Sequence, residues 1–239
     1  MIKKKRFNTK VIHEGQKPEE PFGAVSLPIY QTSTFKQNEF GEYIFDYSRA
    51  DNPTRQNLEK NIASLENGIG AIAYSSGMAS ISSICQLFKS GDEFIFTNNV
   101  YGGTYRLMEK IMKRFSVSVK WVDTSDIDSI KKNITNNTKM IFIESPTNPM
   151  MTMSDISEIS LLAKNNNIIL TVDNTFMSPF FQRPLDLGAD LVIHSSTKYL
   201  GGHSDIIGGF VVVKDNQSLL EELKFIQMSV GAVPGPFDC

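Results

Sequence analysis

Short apolar segments alternate with helical segments over most of the chain, and this alternation constrains the fold more than any other feature. The apolar segments have the length of β-strands and are apolar on both faces, which is typical of a mostly parallel sheet covered by helices on each side. The predicted strands are Gly70–Tyr74, Glu93–Thr97, Val117–Val122, Met140–Glu144, Ile168–Asp173, Leu191–His194 and Gly208–Val213. The predicted helices are Met78–Lys89, Tyr105–Phe115, Ile127–Asn133 and Ser154–Asn165. The fold class is therefore α/β, with a seven-stranded sheet.

The first part of the chain lacks this alternation. Pro18, Pro21 and Pro28 interrupt it, and no helical period persists. We therefore expect residues 1–45 to form an irregular N-terminal arm that packs on another surface, such as a neighbouring subunit. Residues 46–239 have the length of one large domain.

Composition excludes several classes of protein. The formal net charge of −2 carries no electrostatic footprint for nucleic acid. The basic start, Met1–Arg6, is not followed by an apolar stretch, so it is not a secretory signal, and no run reaches the ~18 apolar residues of a membrane-spanning helix. The two cysteines, Cys85 and Cys239, cannot form a disulfide framework, and Cys85 lies in an apolar helical run typical of a buried thiol. We expect a cytoplasmic protein with neither a membrane nor a nucleic acid as partner.

Polar residues follow five of the predicted strands. Because parallel strands end at the same edge of a sheet, and ligands bind beyond their carboxyl ends, these clusters are expected to meet in one site. They are Ser75-Ser76-Gly77, Tyr101-Gly102-Gly103-Thr104, Glu144-Ser145-Pro146-Thr147-Asn148-Pro149, Asp173-Asn174-Thr175 and Ser195-Ser196-Thr197-Lys198.

Lys198 and Asp173 are the most informative members of these clusters. Each follows an apolar strand, so the sheet brings an amine and a carboxylate to the same edge. A lysine held in such a setting attacks carbonyl groups. Pyridoxal phosphate requires both a lysine of this kind and an anion for its pyridine nitrogen, so the pair predicts that cofactor.

Three further clusters have a functional and a structural interpretation. The Ser75–Met78 turn either holds a phosphate on free backbone amides or is a plain helix start capped by Ser76. Tyr101 either stacks on a planar cofactor, with its hydroxyl free for proton transfer, or fills the core beneath its loop. The segment Phe45-Asp46-Tyr47-Ser48-Arg49, with Asn52-Pro53-Thr54, is expected to lie outside any regular element. In it, Tyr47 and Arg49 either donate hydrogen bonds to a phosphate or lie in an ordinary surface loop.

Two other classes of site are not supported. His194, His203 and Asp205 match no zinc spacing, and packing or capping at a strand end accounts for each of them better. A nucleotide-binding dehydrogenase would share the sheet, but the glycine fingerprint of that class does not occur in the chain. We therefore expect no metal site and no dinucleotide site.

Over essentially its whole length, the chain resembles the Cys/Met-metabolism family of pyridoxal-phosphate enzymes. The resemblance implies the aminotransferase-like fold of type I. The motifs that carry it are Tyr47-Ser48-Arg49 with Asn52-Pro53-Thr54, Ser75-Ser76-Gly77-Met78, Val100-Tyr101-Gly102-Gly103-Thr104, Val172-Asp173-Asn174-Thr175-Phe176 and Ser195-Ser196-Thr197-Lys198-Tyr199.

The resemblance also implies a role for each site residue. Lys198 would bind pyridoxal phosphate covalently, and Asp173 would pair with its pyridine nitrogen. Tyr101 would stack on the ring, and Asn148 would face the phenolic oxygen. The phosphate would be held by the amides of Gly77 and Met78, the hydroxyls of Ser195 and Thr197 and, from a neighbouring subunit of a dimer of dimers, Tyr47 and Arg49.

Within the family, Asp46 and the segment Gly231–Asp238 look most like cystathionine γ-synthases, with γ-lyases close behind. The implied reaction is γ-replacement, in which an O-acyl-homoserine and cysteine give cystathionine. The alternative is γ-elimination from cystathionine. In the implied mechanism Lys198 is the base that carries the substrate α-proton, and Tyr101 handles a proton near the γ-position.

Family members continue beyond the equivalent of Asp238 into a smaller C-terminal domain, which carries the arginine that binds the substrate α-carboxylate. We therefore expect this chain, which ends at Cys239, to lack that domain. A catalytically incomplete chain that still binds pyridoxal phosphate is the alternative from a different functional class.

Overall fold

A computed structural model describes residues 5–239 of the chain. Residues 1–4, which begin both the predicted arm and the basic segment Met1–Arg6, lie outside the described residues. Within the described part, no helix is long and apolar enough to cross a membrane.

Seven strands form one sheet in the order β1-β7-β6-β5-β4-β2-β3. Only β7 runs against its neighbours, because it pairs antiparallel with both β1 and β6 while the other pairs are parallel. The prediction of a mostly parallel seven-stranded sheet is therefore confirmed. The strands are β1 (Gly70–Tyr74), β2 (Glu93–Thr97), β3 (Ser118–Val122), β4 (Thr138–Glu144), β5 (Ile169–Asp173), β6 (Leu191–His194) and β7 (Gly209–Val213).

Helices cover both faces of this sheet, as predicted. Helices α2, α5 and α6 bury apolar side chains against one face, and α3, α4 and α8 bury theirs against the other. The helices are α1 (Phe7–His13), α2 (Pro53–Glu66), α3 (Gly77–Cys85), α4 (Gly102–Lys110), α5 (Ile127–Asn133), α6 (Ile156–Asn165), α7 (Ser178–Phe181) and α8 (Gln217–Val230), with a 3-10 turn at Met112–Phe115.

The sequence interpretation was wrong at the start of the chain. The arm is not wholly irregular, since α1 forms there and packs on α2, with Phe7 against the core and Lys10 Nζ donating to the Ser64 carbonyl. Asn52-Pro53-Thr54 is not outside the regular elements either. Asn52 caps α2 by accepting a hydrogen bond from the Thr54 amide, and Pro53 occupies its first turn, which is a favoured helix start.

Other helix ends also differ from the prediction. Helix α3 ends at Cys85 rather than Lys89, because the chain tightens there into a turn that brings the Phe88 ring to 4.9 Å from the Phe94 ring. Helix α4 begins three residues earlier than predicted and stops at Lys110. Helices α2, α7 and α8 were not among the predicted helices.

The five strands followed by polar clusters run in one direction, so their carboxyl ends meet at one edge of the sheet. The reversed strand β7 begins at this edge with Gly209, which pairs with Tyr74. A Cβ atom on Gly209 would lie 2.4 Å from the Ser76 carbonyl oxygen and 2.6 Å from the Gly77 amide nitrogen. Gly209 therefore allows the turn after β1 to approach the sheet closely.

Replacing Gly209 by alanine is expected to destabilise the protein by about 1–3 kcal/mol or more, because the new methyl group meets backbone atoms that cannot rotate away. Urea denaturation measures the change. Gly102→Ala is the matched control, since a Cβ there meets only the tip of the Arg106 side chain at 3.8 Å. Equal stability of the Gly209 and Gly102 variants would contradict the prediction.

Candidate active site

A cavity of about 310 Å³ opens at the carboxyl ends of the parallel strands. Eight of the ten predicted site residues line it, and two do not. Those that line it are Gly77, Met78, Tyr101, Asn148, Asp173, Ser195, Thr197 and Lys198. The two outside it are Tyr47 and Arg49.

One end of the cavity is formed by the start of α3. Ser76 caps the helix, its hydroxyl accepting a hydrogen bond from the Ala79 amide at 3.1 Å. Among the described residues, the amides of Gly77 and Met78 have no acceptor, as expected for the first turn of a helix. The cap and the phosphate interpretations of this turn are therefore compatible, because capping leaves two amides free beside the cavity.

The segment after β6 faces this turn. A Cβ on Gly77 would lie 2.8 Å from Ser195 Cβ, so a glycine is required for the two segments to approach this closely. The Thr197 hydroxyl accepts a hydrogen bond from the Gly208 amide at 3.1 Å, which fixes the hydroxyl beside the cavity. Two amides and two hydroxyls thus surround one end, which is a favourable environment for an anion.

Asp173 ends β5 in the floor of the cavity. Both hydrogen bonds to its carboxylate reach Oδ1, from the Thr175 amide at 3.0 Å and the Thr175 hydroxyl at 2.5 Å. Within the described residues, no hydrogen bond reaches Oδ2. Burial raises the pKa of Asp173, while the Thr175 hydrogen bonds and His194 act in the opposite direction. A cationic partner at Oδ2 would therefore stabilise the charged carboxylate.

Thr175 was not predicted as a site residue, although it belongs to the motif Val172-Asp173-Asn174-Thr175-Phe176. Its hydroxyl accepts a hydrogen bond from the Ser195 amide at 2.9 Å and donates to Asp173. It therefore connects the cavity floor to the segment that carries Ser195 and Lys198. The signal available in the sequence was its position two residues beyond a strand-end carboxylate, where a hydroxyl commonly forms local hydrogen bonds.

Tyr101 and Asn148 lie on a third side of the cavity. Tyr101 precedes α4 and is 47% exposed, so its ring faces the opening instead of filling the core. The core interpretation of this residue is therefore wrong. A Cβ on Gly103 would lie 2.4 Å from the Tyr101 ring, which explains why the smallest residue stands beside it. Asn148 is partly buried in the loop after β4.

Lys198 follows β6 across the cavity from these residues. Its backbone is held by its amide, which donates to the Ser195 carbonyl at 3.2 Å, and by its carbonyl, which accepts from the Gly202 amide at 2.8 Å. The side chain is exposed, and among residues 5–239 it forms no hydrogen bond or ion pair. An amine on a fixed backbone, facing a cavity with a free carboxylate oxygen, is available to react with a bound carbonyl compound.

Glu144 is the functional candidate that the sequence interpretation did not single out. It ends β4 beside Asp173, its partner in the sheet register, and it is only 6% exposed in the cavity wall. Its carboxylate accepts hydrogen bonds from the amides of Tyr101 and Asn148. The sequence showed a carboxylate at a strand end, but nothing local indicated that it joins two separate loops.

Tyr47 and Arg49 lie together on the surface, away from the cavity. The Arg49 guanidinium is 5.4 Å from the centre of the Tyr47 ring and donates a hydrogen bond to the Met228 carbonyl near the end of α8. The buried Arg55 guanidinium holds their segment by donating to the carbonyls of Ser48 at 2.7 Å and Ala50 at 2.9 Å. The segment is thus fixed in place with the side chains of Tyr47 and Arg49 exposed.

Glu59 forms an ion pair with Arg55, with 3.7 Å between Glu59 Oε1 and Arg55 Nε. The same carboxylate accepts a hydrogen bond from the Ala73 amide of β1. Burial raises the pKa of Glu59 to about 7 from its ordinary value of 4.5. The folded protein therefore binds this proton more tightly than the unfolded chain. The resulting stability is fully present below pH 4.5 and is lost as the pH rises through 7.

Glu59→Gln is therefore expected to flatten the pH dependence of stability. Relative to the parent chain, the variant should gain up to about 3 kcal/mol between pH 5 and pH 8, because the amide never ionises. Urea denaturation at both pH values measures the gain. The exposed substitution Glu42→Gln is the control, and parallel pH profiles for the parent chain and Glu59→Gln would contradict the expectation.

The histidines lie outside the cavity. His194 Nε2 is 2.5 Å from Glu66 Oε1, fully buried between the sheet and α2, and His203 contacts the Gly201 carbonyl. Within the described residues, no group of three or more histidine, cysteine or acidic side chains is placed to hold a metal ion. Cys85 is buried, and burial raises the pKa of its thiol to about 12, which is typical of an inert cysteine.

The sheet order and the cavity at its carboxyl edge define an α/β protein of the aminotransferase-like fold. The sequence profile of the Cys/Met metabolism PLP-dependent enzyme family matches residues 8–239. The chain therefore belongs to this family, whose cofactor is pyridoxal phosphate.

Individual relatives carry several activities in their names. The chain is 50% identical to the cystathionine γ-lyase of Bacillus subtilis over 96% of its own length, and 46% identical to a probable cystathionine γ-synthase of Herpetosiphon aurantiacus over 98%. It is 47% identical to a cystathionine β-lyase of Coxiella burnetii over 99%. These alignments cover 61%, 73% and 62% of the respective relatives.

The crystal structure of cystathionine γ-lyase from Lactobacillus plantarum, in complex with L-serine, superposes with a TM-score of 0.96 at 44% identity. The alignment covers 98% of this chain and 61% of that protein. The fold prediction is confirmed, and the chain spans about three fifths of the length of most of these relatives. The β-lyase among them represents a reaction that the sequence motifs did not predict.

Proposed function

We propose that the cavity binds pyridoxal phosphate and that the protein acts in trans-sulfuration as an enzyme of the cystathionine γ-synthase type. The observation that carries the proposal is the convergence of Lys198, Asp173 Oδ2 and the free amides of Gly77 and Met78 on one cavity of about 310 Å³. This cofactor requires an amine that reacts with its aldehyde, an anion beside its pyridine nitrogen and several hydrogen-bond donors for its phosphate.

The residues of the cavity fit the cofactor group by group. The phosphate would accept hydrogen bonds from the amides of Gly77 and Met78 and from the hydroxyls of Ser195 and Thr197. Asp173 Oδ2 would pair with the pyridine nitrogen, which keeps that nitrogen protonated, and Thr175 holds the carboxylate in place. On the remaining sides, Tyr101 would cover one face of the ring and the Asn148 side chain would meet its phenolic oxygen.

When bound, pyridoxal phosphate supplies an electron sink for reactions at the substrate α-carbon. The residues of the chain then control where protons move. Lys198, released by the substrate amine, would take the proton from the substrate Cα atom. Tyr101, exposed at the cavity mouth, would exchange a proton near the γ-substituent. General acid–base assistance of this kind typically contributes about 10²–10⁴-fold in rate.

The proposed reaction is the formation of cystathionine from an O-acyl-homoserine and cysteine. The observations supporting it are the γ-synthase-like segment Gly231–Asp238 and Asp46. The second candidate is γ-elimination from cystathionine, which the 50% identity to a γ-lyase favours. Incubation with each substrate set, followed by product analysis, separates them, since only replacement consumes free cysteine and only elimination releases it.

Tyr47 and Arg49 support a proposal about assembly. Both are exposed side chains with hydrogen-bond donors on a segment held by Arg55, and neither lines the cavity of its own chain. We expect them to complete the phosphate site of a second copy in a homo-oligomer, a dimer of dimers. In a dimer formed by mixing the Arg49→Ala and Lys198→Ala variants, one intact site should be restored.

Titration with pyridoxal phosphate, followed by borohydride reduction and peptide mass analysis, tests the proposed cofactor site. A visible absorption band of the bound cofactor, with the reduced label on Lys198, is the expected result. A folded protein that produces no band, or a label on another lysine, would overturn the proposal. A labelled protein that turns over neither substrate set would support the alternative of a catalytically incomplete cofactor-binding chain.

A further inference from the structure

Glu144 occupies an unusual place between the two loops that flank the proposed cofactor ring. Its Oε2 atom accepts a hydrogen bond from the Tyr101 amide at 2.8 Å, and its Oε1 atom accepts one from the Asn148 amide at 2.9 Å. Tyr101 directly precedes α4, whereas Asn148 lies in the loop after β4, 47 positions further along the chain. A single carboxylate therefore ties together two segments that are far apart in the sequence.

Position and burial make this connection rigid. Glu144 is the last residue of β4, directly paired with Asp173 of β5, and it is 6% exposed. Hydrogen bonds from amides to a buried carboxylate are among the stronger ones in proteins, and leaving either amide unpaired would be costly. No side chain caps the first turn of α4, and Glu144 holds the residue before that turn through its amide.

We propose that Glu144 is a positioning residue for the cofactor. By holding the backbone amides of Tyr101 and Asn148, it fixes the Tyr101 ring and the Asn148 side chain relative to each other and to Asp173. The inference rests on the proposed cofactor site. In this role Glu144 makes no contact with the reacting atoms. It sets the spacing between the stacking ring, the group that meets the phenolic oxygen and the carboxylate that meets the pyridine nitrogen.

The electrostatics of the cavity are consistent with this role. Burial, followed by the charge of Asp173, raises the pKa of Glu144 to about 7, while the hydrogen bonds from Tyr101 and Asn148 act in the opposite direction. The other ionisable groups in the cavity are Tyr101 and Lys198. Because Asp173 is the neighbouring anion, a cationic ring bound at Asp173 would relieve the repulsion and favour the charged form of Glu144.

The first test compares Glu144→Gln with Glu93→Gln. Glu93 is a matched control, because it begins β2 at the opposite edge of the same sheet and also accepts several hydrogen bonds. The ligands are pyridoxal phosphate and 4′-deoxypyridoxine phosphate, which lacks the aldehyde and so reports ring placement without attachment to lysine. Glu144→Gln should weaken the binding of both ligands by about 10-fold or more. Glutamine keeps only one acceptor oxygen, so one of the two backbone amides loses its hydrogen bond.

Circular dichroism of the bound cofactor is the readout that a purely structural role would not change. Loss of the induced visible signal in Glu144→Gln, with the signal retained in Glu93→Gln, is expected because the ring is no longer held in one orientation. If the parent chain binds both ligands and Glu144→Gln binds them with the same affinity and the same signal, the inference is wrong. If the parent chain binds neither ligand, the proposed cofactor site itself fails, and the inference fails with it.

The second test needs no variant, so it holds even if Glu144→Gln does not fold. In the parent chain, the amide resonances of Tyr101 and Asn148 should titrate together with one midpoint near pH 7, because both report the same carboxyl group. Addition of 4′-deoxypyridoxine phosphate should lower that midpoint. Independent titration of the two amides, or a midpoint that the ligand leaves unchanged, would overturn the inference.

Discussion

Lys198→Ala is expected to abolish covalent attachment of pyridoxal phosphate completely. Among the residues that line the cavity, Lys198 is the only amine, so no neighbouring side chain is placed to replace it. The measurement is the amount of borohydride-fixed cofactor per chain, which should fall from about one to zero. The substitution removes an exposed side chain that forms no hydrogen bond within the described residues, so the folded state should be unaffected.

Two controls make this result specific. Lys139→Ala removes an exposed lysine far from the cavity and should leave the label unchanged. Binding of 4′-deoxypyridoxine phosphate should persist in Lys198→Ala, because that ligand forms no bond to lysine. Retention of a stoichiometric label after loss of Lys198 would contradict the assignment of the attachment site.

Asp173→Asn is expected to weaken cofactor binding by about 10- to 100-fold. A hydrogen bond between charged partners contributes about 1.5–3 kcal/mol, and asparagine offers no charge to a protonated pyridine nitrogen. The local structure should persist, because Oδ1 of asparagine still accepts the two hydrogen bonds from Thr175. The dissociation constant of pyridoxal phosphate, obtained by titration, is the measurement.

Asp190→Asn is the matched control for this substitution. Asp190 is a carboxylate with a pKa raised by burial that accepts a backbone hydrogen bond from Leu170, but it lies at the opposite edge of the sheet. The Asp190→Asn variant should bind pyridoxal phosphate with the affinity of the parent chain. Equal affinities for the parent chain and Asp173→Asn would show that the carboxylate does not pair with the cofactor.

Much of the site could be predicted because it depends on strand ends. Asp173 and Lys198 each follow a short apolar run, and parallel strands bring whatever follows them to one edge. The same reasoning located Ser76-Gly77, Tyr101 and Asn148. In each case the signal spans fewer than ten residues, so no knowledge of distant contacts was needed.

The errors have a common cause. Asn52-Pro53-Thr54 was predicted to lie outside any regular element, whereas Asn52 is a helix cap and Pro53 lies in a first turn. Helix α1 was missed because it is short and depends on its packing against α2 for stability. In both cases the local preference was ambiguous and tertiary contacts decided the outcome.

The sequence by itself determined the strands, the family motifs and the edge where the polar clusters meet, because apolar periodicity and strand ends are encoded locally. Only the tertiary structure decided that β7 runs in reverse between β1 and β6, which brings Gly209 beneath the Ser76–Gly77 turn. It also decided that one buried carboxylate, Glu144, serves two loops, and that Arg55 holds the segment of Tyr47 and Arg49. Contacts of this kind depend on how the packed layers position residues from different elements, which no local pattern in the chain encodes.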